Sequence, residues 1–195
     1  MLCIRKTEVS VPLLLATLRL AAKCANSFNI ARRSNEFKPI QVSVGVSGGA
    51  EAIVHATRRI VSELPIRHVM VKLEFANAFN SARRDAILDK VADKLPELYK
   101  FVYASHACDS KLTFGTSTIL SCGGSQQGDP LIGLEFCETV QPLLESAMAD
   151  AEFAYLDDFS LGGEVNIVAA DVENNMKTDV NTGLQLNPTM CKISA

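Results

Sequence analysis

The sequence holds no Cys-x-x-Cys pair. Its six cysteines, Cys3, Cys24, Cys108, Cys122, Cys137 and Cys191, are scattered, and no histidine lies at zinc-finger spacing. A structural zinc site and a disulfide framework are both disfavoured, which leaves the reduced thiols of an intracellular protein. No apolar run approaches the roughly 20 residues of a membrane span. The start makes a poor signal peptide, because the apolar run 11–15 after Arg5 and Lys6 is short and Thr17-Leu18-Arg19 interrupts it. No nuclear or other targeting signal is visible. There is little excess of charge of either sign: 19 Lys and Arg stand against 22 Asp and Glu, a net charge of -3. That argues against a protein that grips nucleic acid by global charge, though not against one with a locally basic cleft. Internal repeats and low-complexity segments are absent. Gly48-Gly49 lacks the further glycines and the lysine of a phosphate loop, so it reads as turn chemistry.

What is present is the composition of a folded chain. The 195 residues are 48% hydrophobic and 21% charged, enough for one domain, or a piece of one, with a sizeable core. Residues 12–24 have helical periodicity, with Leu14, Leu18 and Ala22 on one face. A polar stretch follows at 26–38, and 40–46 alternates imperfectly, like a strand. Residues 50–64 read as a helix stopped by Pro65. The strongest strand is 68–75, where Val69, Val71, Leu73 and Phe75 alternate with Met70, Lys72 and Glu74. Ser81 is placed to cap a helix over 82–95, and 97–107 forms another. Residues 111–121, with a central Gly115, read as a hairpin. Pro130 suits the first position of a helix over 131–149. A helix over 164–182, ended by Gly183, and short strands at 184–187 and 190–193 complete the chain. The order is that of an α+β fold, a split βαβ unit of ferredoxin-like layout.

The chemistry concentrates at Tyr155-Leu156-Asp157-Asp158. The two carboxylates fall at a hairpin tip between strands 153–156 and 159–161. Adjacent like charges are unfavourable unless a cation meets them, and hard oxygen ligands suit magnesium. Glu74 sits near the C-terminal end of the strand 68–75, and ligands bind beyond the carboxyl ends of strands in open sheets. The basic pairs Arg32-Arg33, Arg58-Arg59 and Arg83-Arg84 offer phosphate contacts, although a solvated face is the commoner use of such pairs.

Three motifs occur in a fixed order: Lys72-Leu73-Glu74-Phe75-Ala76-Asn77-Ala78-Phe79-Asn80-Ser81, then Gln126-Gln127-Gly128-Asp129-Pro130-Leu131, then Tyr155-Leu156-Asp157-Asp158. Together they resemble the palm of a reverse transcriptase of the non-LTR retrotransposon type. Gly183-Leu184-Gln185-Leu186-Asn187-Pro188 resembles a fourth palm motif, and the runs around Leu18 to Cys24 and Val44 to Ala56 resemble segments that precede the palm in that family. The resemblance implies a polymerase palm with partial helical fingers. Residues 1–65 and 82–120 would be fingers-like and 66–81 and 121–195 palm, with thumb and endonuclease absent. It implies RNA-directed transfer of dNTPs to a DNA primer 3′-hydroxyl on an RNA template, assisted by two Mg2+ ions, with Mn2+ a possible substitute. By position, Glu74 stands where the family has a metal-binding Asp, Asp157 matches the other metal ligand, and Asp158 supports it. Phe79 matches the residue under the sugar that rejects a 2′-hydroxyl. Gln127 and Gly128 match the loop against the incoming nucleotide, and Tyr155 would sit beside the primer terminus.

The departures are Glu74 in place of Asp, Met190 where a lysine is usual, and Val11 where an arginine usually precedes the proline. A carboxylate moved by one methylene, about 1 Å, can cost about 100-fold in rate. The expectation is therefore an impaired polymerase; the alternative is a catalytically inactive nucleic-acid-binding module of the same descent. A palm-fold nucleotide cyclase lacks support, because the Gln126-to-Pro130 loop belongs to template-dependent polymerases.

Overall fold

The computed structural model describes residues 10–125, 128–176 and 178–195. In chain order the elements are α1 (Ser10–Phe37), α2 (Gly49–Ser62), β1 (His68–Glu74), the short α3 (Ala78–Ser81), α4 (Arg84–Lys94), α5 (Tyr99–His106), β2 (Ser110–Phe114), β3 (Ser117–Ser121) and α6 (Ile132–Glu145). They continue with β4 (Ala151–Tyr155), β5 (Asp158–Glu164), α7 (Val165–Asp171), a π-helical turn Val172–Met176, β6 (Thr178–Asp179), β7 (Leu184–Gln185) and β8 (Lys192–Ser194).

The central sheet is antiparallel with the order β4-β5-β1-β8. Its four strands run in the chain order β1, β4, β5, β8, with helices in the two crossovers, which is the expected split βαβ layout of an α+β palm. Val71, Leu73, Phe159 and Leu161 are buried on one face of this sheet. That face continues into one hydrophobic cluster with Ile87 and Val91 of α4 and Phe136, Val140 and Leu144 of α6. Phe75, just past β1, meets Phe159 edge to face at 4.9 Å. The opposite face is where period-2 alternation places the even-numbered residues of β1. Of these Met70 is buried rather than polar-facing, because Gly162 lies opposite: a Cβ there would stand 2.8 Å from the Met70 sulfur.

Several local expectations are corrected. The first helix does not end near Cys24 but runs to Phe37. The polar stretch stays helical because Asn29, Arg33 and Ser34 are buried there, and Arg33 is ion-paired to Glu138 of α6. Leu18, expected inward, is 47% exposed, whereas Ala22 is buried. Residues 40–46 form no strand. Gln41 makes a single parallel bridge to Ala154, flanked by the bonds Ala154 N–H to Ile40 O and Val42 N–H to Ala154 O, and Gly45 then turns the chain at φ +68°. Ser81 is not a cap; it lies inside α3 and its hydroxyl donates to the Ala76 carbonyl at 3.1 Å. Pro130 precedes the helix by two residues, and the Asp129 side chain accepts from Leu131 N–H at that turn. The helix expected over 164–182 ends at Met176, and Gly183 serves a β6–β7 turn instead, at φ +80°.

Among the described residues no helix is long and apolar enough to cross a membrane.

Candidate functional site

The β4–β5 hairpin is closed by two residues, Leu156 and Asp157. Leu156 adopts φ +57°, a left-handed conformation that costs a branched residue about 1–3 kcal/mol unless its surroundings hold it. Its side chain packs on the core beside Gly133 of α6, where a Cβ would be only 3.5 Å from Leu156 Cδ2. The turn is thus packed against the core on this side. Asp158 opens β5, with Tyr155 opposite on one side and Glu74 opposite on the other. Residues directly opposite in an antiparallel pair share a face, as do residues two apart in a strand. Tyr155, Asp158, Glu74 and Lys72 therefore form one row across the sheet. Lys192 of β8 lies opposite Lys72 and extends it.

The row contains its own cation. Lys72 Nζ lies 2.7 Å from Glu74 Oε1 and 2.9 Å from Asp158 Oδ1. The bond to Glu74 first, then the bond and charge of Asp158, raise the ammonium above its ordinary value against the effect of partial burial. Asp157 is the half-buried member of the set. Burial first, then the negative charges of Asp158 and Glu74, push its carboxyl up, while its own backbone N–H and Lys72 pull it back.

This answers the question of what meets the paired carboxylates. A metal was the expected partner, yet among the described residues no three His, Cys, Asp or Glu side chains are grouped to hold an ion. As arranged, the Lys72 ammonium takes one oxygen from each of Glu74 and Asp158, so a divalent cation would have to compete with it for them. Sequence reading missed this role of Lys72, although its place two residues before Glu74 in an alternating strand was the signal.

Phe79 of α3 follows five residues after Glu74, is partly buried, and meets Phe136 of α6 in a tilted ring contact with centroids 4.6 Å apart. The loop after β3 is strapped to α3 by Gly124 N–H to Ala82 O and Ser125 N–H to Phe79 O, each 2.9 Å. Gly124 is needed there: at φ +66° its Cβ would come within 2.4 Å of Asn80 Cα. Gly128, at φ +90°, is exposed. Gln127 lies outside the described residues. Tyr155 is 36% exposed at the end of β4. The turn 187–191 backs β1, with Asn187 N–H donating to Glu74 O at 2.7 Å, and Met190 is exposed.

Two of the basic pairs have other uses. Arg33 is buried against Glu138 and Glu36, and Arg84 binds Gly123 O, Gly124 O and Ser121 Oγ at the base of the β2–β3 hairpin. Arg58 and Arg59 of α2 are exposed, as a solvated face would be.

No protein-family model matches this sequence, and no curated protein matches it. Solved structures do. Telomerase from Candida tropicalis in complex with a TWJ fragment of telomeric RNA superposes with a TM-score of 0.58 at 12% identity, over 92% of this chain and 33% of that one. Apo telomerase from Candida tropicalis gives 0.59 at 10%, over 92% and 36%. Telomerase from Candida albicans with the corresponding RNA fragment gives 0.57 at 12%, over 91% and 35%. The chain thus spans about a third of the length of these enzymes. At such identities the likeness concerns the fold alone, and telomerase is a reverse-transcriptase-related enzyme. The fold of this chain is accordingly a reverse-transcriptase-like α+β palm.

Proposed function

We propose that this chain is the palm-centred part of an RNA-directed DNA polymerase, of the non-LTR retrotransposon type by its motifs, that binds an RNA template paired with a DNA primer and is impaired in nucleotide transfer. The observation that carries this reading is the row Tyr155, Asp158, Glu74 and Lys72, with Asp157 in the adjoining turn and the Phe79 helix leaving the same end of β1. The order of the motifs supports a fingers contribution from 1–65 and 82–120 and a palm of 66–81 and 121–195.

On this reading the sheet face takes the template–primer duplex. Lys192 supplies positive charge toward phosphates, and Tyr155 offers an aromatic surface beside the primer end. Phe79 presents an apolar ring under the sugar, with no partner for a 2′-hydroxyl. Gly128 lets backbone approach the incoming dNTP closely. Mg2+, or Mn2+ in its place, would in a working enzyme assist the attack of the primer 3′-hydroxyl. Here Glu74 and Asp158 face Lys72 instead, which supports impairment rather than full activity.

The test is fluorescence anisotropy of a labelled oligo(dT)–poly(A) hybrid titrated with the chain in EDTA. Saturable binding that weakens steeply with added salt is expected, because phosphate contacts release counterions. Absence of binding at low salt would refute the reading.

A further inference from the structure

Three carboxylates, Glu74, Asp157 and Asp158, stand at the head of the sheet. In this chain the geometry gives two of them a partner from the protein itself. Lys72 reaches along β1 to Glu74 and across to Asp158, at 2.7 and 2.9 Å. The reach is fixed by the sheet, not by a loop: Lys72 and Glu74 are two apart in one strand, and Glu74 and Asp158 are register partners. The strand is held on both sides, by β5 over its whole length and by β8 at Met70 to Lys72. A second lysine, Lys192, stands opposite Lys72 on the same face. Ser160, the partner of Lys72 in β5, brings no charge to compete for it.

We propose that Lys72 is the resident counter-ion of the Glu74–Asp158 pair, so that a divalent cation gains this site only when the lysine charge is removed or drawn away. The inference deepens the polymerase-palm reading and rests on it for its relevance, but it concerns this chain's own carboxylates. A cation standing within about 3 Å of both carboxylates competes directly for their oxygens and repels any ion that approaches the third. Charges at 4–6 Å shift the affinity of a carboxylate for a proton by 1–3 powers of ten, and a dication is no less sensitive. The arrangement thus holds the sheet face in a metal-free form whose like charges are already matched.

The experiment is a Mn2+ titration of the whole chain, without nucleic acid, following the electron paramagnetic resonance signal of free Mn2+. Failure of the nucleic-acid-binding reading leaves it untouched. Four forms are compared: the chain as given, Lys72→Met, Lys72→Arg, and Lys72→Met combined with Asp158→Asn. Circular dichroism and the melting temperature report folding. The expected result is weak binding by the given chain and by Lys72→Arg, binding about tenfold tighter by Lys72→Met, and loss of that gain in the double variant. Equal affinities for the given chain and Lys72→Met would overturn the proposal. So would a gain that survives Asp158→Asn, since the ion would then sit elsewhere. Should Lys72→Met fail to fold, tight Mn2+ binding by the given chain or by Lys72→Arg overturns it on its own.

Discussion

Glu152 of β4 carries a carboxyl pushed up to about 7, against an ordinary value of 4.5, first by burial and then by the negative charges of Asp171 and Glu145. Its Oε2 is buried with no hydrogen-bond partner among the described residues. A carboxyl whose folded value lies above its unfolded one holds a proton that the unfolded chain has released. Between about pH 4.5 and pH 7 the folded state binds more protons, so stability falls as pH rises through that window. We expect the melting temperature to drop from pH 5 to pH 8, and Glu152→Gln to flatten the profile; thermal unfolding at several pH values reads this. Gly124 gives a second test at the same scale. Gly124→Ala puts a Cβ within 2.4 to 2.6 Å of the Asn80 backbone at φ +66°. The cost is expected at about 2 kcal/mol in chemical denaturation. Site residues were unevenly legible at this scale. Asp157 and Asp158 stood out because two adjacent carboxylates in a turn need a partner. That partner was not legible as Lys72, since which cation reaches an oxygen depends on strand register as well as on the alternation within β1.

Between elements, the most consequential contact is that of α1 with α6. Arg33 binds Glu138 through two bonds, one of them Nη2 to Oε2 at 2.7 Å, and both side chains are almost wholly buried. The guanidinium also lies 5.5 Å from the centre of the Phe37 ring. Removing one partner leaves an uncompensated buried charge, which costs about 3–5 kcal/mol; replacing both by apolar groups is often neutral. Arg33→Ala should therefore lower the stability measured in urea by about that amount, and Arg33→Met with Glu138→Leu should recover most of it. This contact also explains a limit of the sequence. The stretch 26–38 read only as a polar stretch after the helix because a helix that buries Asn29, Arg33 and Ser34 does not show an apolar stripe. Strands with one buried face read well by comparison. β1 follows the alternation of Val69, Val71 and Leu73, and the β4–β5 hairpin is bracketed by its turn residues. Residues 40–46 misled for the opposite reason: an apolar alternation was present, but Gly45 and the docking of Gln41 beside Ala154 leave only one bridge.

For the whole molecule, the sheet order β4-β5-β1-β8 was accessible from the sequence of elements, because a split βαβ arrangement permits few alternatives. The same order sets the ends of β1 and β4 beside the start of β5, and so gathers Glu74, Tyr155, Asp157 and Asp158 from positions far apart in the chain. The central proposal is a palm that binds nucleic acid while its own lysine holds the carboxylates that transfer chemistry would need. Primer extension on a poly(A) template with oligo(dT) in Mg2+, run for the chain as given and for Asp157→Ala, tests it most directly. The account predicts a hybrid that is bound but scarcely extended by either form. Robust extension that Asp157→Ala abolishes would contradict it.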